Sequence, residues 1–191
     1  PLALAGLFLM FMAVVSVVTL VPYVGPVLAL AIVPAATLGL MAASDEATRG
    51  RFPMPTILVS AFRAGQQRLR AMLVLGVIYA VICLLISLLT AVLVPLPADA
   101  GSGRDIMLSP DFQRSMLLTM VMYLPVSLLF WHAPALVHWH GVAPVKSLFF
   151  SLVACLRNFR AFAVYSIAWF GVFLLGGLII VLIGSLFSNA E

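Results

Sequence analysis

The stretch Ala71-Met-Leu-Val-Leu-Gly-Val-Ile-Tyr-Ala-Val-Ile-Cys-Leu-Leu-Ile-Ser-Leu-Leu-Thr-Ala-Val-Leu-Val94 decides the fold class. It holds no Asp, Glu, Lys or Arg, and it is longer than the roughly 20 apolar residues an α-helix needs to cross about 30 Å of hydrocarbon. Backbone N–H and C=O groups have no water to bind in lipid, so a run of this kind is expected to pair them internally as a helix. Four other runs outward from it have the same character, at about 2–20, 27–43, 116–137 and 161–187, and none contains an Asp, Glu, Lys or Arg. The fold class that follows is an all-α integral membrane protein. It is read as a bundle of about five transmembrane helices forming a single domain over residues 1–191.

Composition requires the same solvent. Of the 191 residues 64% are apolar and 8% charged, against about a quarter charged in an ordinary soluble domain. So few charged side chains would leave apolar patches on a water-exposed surface larger than soluble monomers carry. The net charge of +4 is dispersed between the apolar runs and forms no stripe or tail, so nucleic acid is not an expected partner. Cys83 and Cys155 show no spacing that suggests a disulfide framework or a zinc site and read as small core hydrophobes. Pro1 already lies in an apolar run with no charged segment ahead of it. This does not read as an intact signal peptide, and residues are expected upstream of it.

The polar links set an orientation. Arg49, Arg51, Arg63, Arg68 and Arg70 lie between the second and third spans, and Lys146, Arg157 and Arg160 between the fourth and fifth. The link between the third and fourth carries only Arg104 and Arg114, beside Asp99, Asp105 and Asp111. Lys and Arg concentrate on the cytoplasmic side of membrane proteins, which puts the basic loops in the cytoplasm and the C-terminus in the periplasm.

Two basic links also read as amphipathic helices lying in the membrane interface, at about 55–68 and 144–158. Each starts with a Pro, suited to a first helical turn, and each ends in a basic cluster. In the first, Ile57, Leu58, Ala61, Phe62 and Leu69 oppose Ser60, Arg63, Gln67 and Arg70. In the second, Leu148, Leu152 and Phe159 oppose Ser147, Ser151 and Asn158. Arg63, Arg68, Arg70, Lys146, Arg157 and Arg160 are then placed at lipid headgroups. The spans ahead of these helices carry Val33-Pro34-Ala35 and Ala133-Pro134-Ala135, so a unit of Pro-containing span, interfacial helix and next span occurs twice. Pro95 to Arg104 has the composition of a flexible linker, and Ser109-Pro110-Asp111-Phe112 that of a helix start.

Candidate sites are few. Ala31, Ala35, Gly39 and Ala43 recur at four-residue spacing and make a flat stripe for close helix packing, within the chain or against another subunit. His132, His138 and His140 are the weak candidates for a metal or haem site. The i, i+2 spacing of His138 and His140 points them about 200° apart on a helix, which suits an interfacial aromatic and polar belt better than shared ligation. Pro134 denies the Phe130 carbonyl its helical partner, so His132 has a structural role open to it beside a ligand or proton-relay role. No catalytic residue is singled out and no cofactor is expected. The absence of formal charge within the spans argues against ion-coupled transport, which places ionisable groups near the midplane.

The segments Pro1-Leu-Ala-Leu-Ala-Gly-Leu-Phe8, Gly50-Arg-Phe-Pro-Met-Pro-Thr56 and Ala143-Pro-Val-Lys-Ser-Leu-Phe-Phe-Ser151, with Arg157-Asn158, resemble a family of uncharacterised beta-proteobacterial inner-membrane proteins. The likeness runs through most of the chain. It implies a multi-span helical fold in the inner membrane and brings no activity with it. Members of that family have a short basic segment before the first span, which this chain lacks. The functional expectation is a non-enzymatic accessory or organising component that works through membrane lipids and another membrane protein or a second copy of itself. Passive or lipid-directed transport is the alternative, and a haem- or metal-bearing subunit is a weaker one.

Overall fold

A computed structural model describes residues 2–95 and 103–188. The protein is all-α, and five helical segments among the described residues are long and apolar enough to cross a bilayer. They are Leu2–Thr19, Val24–Thr48, Gln66–Leu93, Pro110–His140 and Phe159–Ser185. In chain order the helices are α1 (Leu2–Thr19), α2 (Val24–Thr48), α3 (Ser60–Arg63), α4 (Gln66–Leu93) and α5 (Gly103–Leu108). They continue with α6 (Pro110–Phe130), α7 (Ala133–His140), α8 (Pro144–Arg157) and α9 (Phe159–Ser188). The chain divides into two compact units, Pro1–Leu152 and Val153–Glu191, where the sequence is read as one domain. Most of the linker stretch read at 95–104 lies outside the described residues.

In the first unit, α2 and α4 form the centre. α1 joins α2 through a turn at Leu20–Tyr23. The Val24 N–H reaches the Pro22 carbonyl at 2.7 Å, closing a γ-turn around Tyr23. Tyr23 is held there at φ 62° and ψ −47°, a backbone conformation that costs a non-glycine residue free energy. Gly25 and Pro26 lie in the first turn of α2, where a Pro needs no N–H.

Close packing in this unit depends on missing side chains. A β-carbon on Gly76 of α4 would stand 2.1 Å from the Ala31 carbonyl oxygen on α2. One on Gly39 would stand 2.8 Å from the Leu58 backbone. The stripe of Ala31, Ala35, Gly39 and Ala43 is therefore used inside the chain. Ala31 meets α4, Gly39 meets the turn around Leu58, and Ala35 and Ala43 are buried. Around this contact the core gathers Leu38, Leu75, Tyr79, Val126, Phe130 and Val137. Tyr79 stacks edge-on against Phe130 at 4.9 Å between ring centroids, and its hydroxyl bonds that of Tyr123 on α6. Further along the same pair of helices, the Thr119 hydroxyl donates to Thr90 at 3.3 Å.

Two elements differ from the sequence reading. The helix expected over 55–68 is a 3-10 turn at Pro55–Val59 followed by the single turn α3, and the chain breaks at Gly65. Gly65 sits at φ +92°, where an L side chain is strained, so the helix cannot run through it and restarts at Gln66. Arg63 closes α3, whereas Arg68 and Arg70 belong to the start of α4. The fourth span is also discontinuous, because α6 ends at Phe130 and α7 starts at Ala133, with Pro134 in its first turn. Pro34, the counterpart of Pro134, lies inside an unbroken α2, so the two copies of the sequence unit take different structures.

The start of α6 follows its sequence signal. Ser109 caps it by accepting the Phe112 N–H at 3.2 Å, and Pro110 occupies the first turn. In the second unit, α9 carries an aromatic ladder at four-residue spacing. Tyr165 meets Trp169 at 6.2 Å and Trp169 meets Phe173 at 5.8 Å between centroids.

Candidate functional site

The polar features of the first unit converge where α6 gives way to α7 and the chain turns into α8. Pro134 has no N–H, and its ring crowds the carbonyl four residues back, so the helix loosens just ahead of it. The gap is closed by Ser151 from α8. Its hydroxyl accepts the His132 N–H at 2.9 Å and donates to the Leu128 carbonyl at 2.8 Å. Those two backbone groups are the i and i−4 partners of a regular α-helix, so the hydroxyl is inserted into the ladder and replaces one rung. Ser151 is 0% exposed, as is Ser147 one turn earlier.

That placement corrects the face assigned to α8. Ser147 and Ser151 point inward, and Val145, Phe149 and Phe150 are exposed. The physical reason is the broken ladder. An unpaired carbonyl at membrane depth is costly, and a buried hydroxyl satisfies it at no loss of packing. Ser151 is the residue that the sequence reading missed. The available signal was the small-residue spacing of Ser147 and Ser151, set beside a Pro that loosens the preceding span next to the Leu128 carbonyl.

Next to this break lies a cleft of about 350 Å³, lined by Gln67, Arg68 and Ala71 from α4, Val137 from α7, and Gly141 to Pro144. Gly141 makes the turn possible. It adopts the left-handed conformation at φ +64°, and the N–H of Val142 returns to the Leu136 carbonyl at 3.2 Å, ending α7 in a tight cap. α8 begins immediately afterwards at Pro144, preceded by Ala143, which has no side-chain acceptor to cap it.

The charges near these links divide into paired and unpaired. Asp45 meets Arg49 at 2.8 Å, and Glu46 holds Arg51 through two bonds, one of them 2.7 Å from Nη2 to Oε1. Hydrogen bonding to Glu46 holds the Arg51 proton more tightly than usual. Arg63, Arg68, Arg70 and Lys146 have no ion pair among the described residues. In the second unit, Arg157 and Arg160 line a separate cavity of about 480 Å³ with Leu156, Asn158, Phe159 and Ala161.

The histidines are not brought together as a ligand set. His132 is at the N-terminal boundary of α7, with its backbone N–H on Ser151. His138 lies two turns on, its ring edge-on to Trp139 and its Nδ1 buried without a hydrogen-bond partner among the described residues. His140 is exposed at the helix end. Among the described residues, no group of three or more His, Cys, Asp or Glu side chains is placed to hold a metal ion.

At the other end of α4, Ser87, Thr90, Ala91 and Val94 face Ser115 and Thr119 of α6 across a cleft of about 360 Å³.

No family model matches the chain. No solved structure matches it either. A Burkholderia thailandensis chain named as a probable inner membrane protein is 37% identical over 181 residues, which cover 90% of this chain and 67% of the relative. With five apolar helices of spanning length, this likeness makes the protein a multi-pass inner-membrane protein. The chain belongs to the same family of beta-proteobacterial inner-membrane proteins as that Burkholderia relative.

Proposed function

We propose that the protein is a non-enzymatic accessory or organising component of the inner membrane. It acts by lateral contact with lipid and with another membrane protein or a second copy of itself. The observation that carries this reading is how polar side chains at membrane depth are used. Thr37 donates to the Val33 carbonyl at 2.9 Å, Ser87 to Cys83 at 3.0 Å, and Ser127 to Leu124 at 2.7 Å. Thr119, Tyr79 and Ser151 are likewise engaged within the chain. Side chains committed to their own backbone or to a neighbouring helix serve packing. Meanwhile α1 buries only Leu7 and presents the rest of its apolar surface outward.

The small-residue stripe on α2 no longer supports association with another chain, since α4 and the Leu58 turn occupy it. The outward faces of α1 and α9 take that part in the proposal. In the proposed orientation the basic links face the cytoplasm and the C-terminus faces the periplasm. Purification in mild detergent or nanodiscs, with identification of co-purifying proteins and lipids, tests the reading. A partner or a selectively retained lipid is the expected result. A free monomer carrying neither would overturn it.

A second reading, passive or lipid-directed transport, is favoured by the two clefts at opposite ends of α4, one basic and one lined by hydroxyls. Reconstitution into liposomes with fluorescent lipid or solute reporters tests it. Flux equal to that of empty vesicles would rule it out.

A further inference from the structure

We propose that the cleft between the start of α4 and the α7–α8 turn binds a phosphate group, presented by the headgroup of an anionic phospholipid, with Arg68 as its counter-charge. This deepens the lipid-contact part of the proposed function and rests on it.

The acids of the last turns of α2, Asp45 and Glu46, are committed to Arg49 and Arg51, and no other acid lies between them and α4. The link from α7 through α8 contains no Asp or Glu. Arg68 therefore faces the cleft with no carboxylate partner among the described residues. An anion from outside the chain is the complement it lacks. A guanidinium offers a planar fork of donors that fits phosphate oxygens in pairs.

The cleft supplies further donors. Gln67 brings a side-chain amide beside Arg68. Opposite them stands the start of the 14-residue α8, whose Ala143 and Pro144 line the cleft; Ala143 has no side-chain acceptor to cap the first-turn N–H donors that follow directly behind Pro144. Such donors, with the helix dipole behind them, favour an anion. Ala71, Val137 and Val142 make the remaining wall apolar, and about 350 Å³ is the size of a small ligand site.

The surroundings favour a lipid headgroup over free phosphate. Val145, next in the chain to the Pro144 that lines the cleft, is 69% exposed, and Phe149, one turn further along α8, is 61% exposed. A phosphate held there has its glycerol and acyl chains next to an apolar surface.

Native mass spectrometry of the full chain in mild detergent, with phosphatidylglycerol or phosphatidylcholine added in turn, tests the proposal. The expected result is phosphatidylglycerol retained about tenfold more tightly than phosphatidylcholine. That preference should be lost in Arg68→Ala and partly kept in Arg68→Lys. Ala143→Asp provides a second variant, because a carboxylate at this position caps α8 and pairs with Arg68. It should remove the preference while the melting temperature is maintained or raised. If phosphatidylglycerol is preferred equally by the wild type, Arg68→Ala and Ala143→Asp, the site is overturned and the lipid reading of function stands. If the wild type shows no preference, the site is overturned, and the reading of function then falls only if neither a protein partner nor another lipid co-purifies. If inorganic phosphate binds with the same Arg68 dependence and phosphatidylglycerol does not compete, the lipid assignment is overturned.

Discussion

Gly76 and Ala31 stand in backbone contact across the α2–α4 interface, so close that a β-carbon at Gly76 would lie 2.1 Å from the Ala31 carbonyl oxygen. Both sides of that contact are rigid, since the atom in the way is a helix carbonyl. Gly76→Ala is expected to push the helices apart and cost about 3 kcal/mol or more. Gly6→Ala on α1, where nothing lies within 4 Å, is the control. It should be neutral or stabilising by up to about 1 kcal/mol through helix propensity. Unfolding of the purified variants in detergent against denaturant distinguishes the two.

Ser151→Ala removes the hydroxyl that accepts the His132 N–H and donates to the Leu128 carbonyl, and so breaks two hydrogen bonds at a buried position. The expected loss is about 1–3 kcal/mol. The effect should be coupled to Pro134. In a Pro134→Ala background the helix can regain its regular ladder, and the cost of Ser151→Ala should shrink. A double-mutant cycle measures the difference, and strict additivity would contradict the inserted-rung account.

Tyr23 is a non-glycine residue at the centre of a γ-turn and is almost fully exposed, at 93%. Tyr23→Gly therefore relieves backbone strain without removing packing. A gain of about 1 kcal/mol in unfolding free energy is expected, whereas Tyr23→Ala should gain nothing.

The proposed orientation predicts opposite reporter behaviour on the two sides of α4. Green fluorescent protein fused after Arg51 should fluoresce, as it does in the cytoplasm, and alkaline phosphatase fused there should be inactive. After Ser109 the pattern should invert. Matching behaviour at the two positions would show that α4 does not cross the membrane.

How far the sequence could be read differs between elements. The Ser109 cap and the apolar extent of α4 are local properties, set by residues within a few positions, and both were legible. The histidine cluster was legible only in part. Spacing argued against shared ligation by His138 and His140, but the break that places His132 at the start of α7 depends on a hydroxyl from another helix. The expected helix over 55–68 fails at Gly65 for a related reason. Its apolar pattern continues through the glycine, and the docked Leu58 turn and a φ of +92° interrupt the backbone there.

By itself the sequence determined the solvent, the helical class and the five apolar spans. These follow from charge content and from the need of a backbone in lipid to satisfy its own hydrogen bonds. Tertiary structure alone decided which surfaces remain available. It spent the α2 stripe on Gly76 and Leu58, turned the serines of α8 inward to repair a broken helix, and left Arg68 beside a cleft without an acid. Each of these rests on a contact between residues far apart in the chain, and a pattern of neighbouring residues carries no record of such a contact.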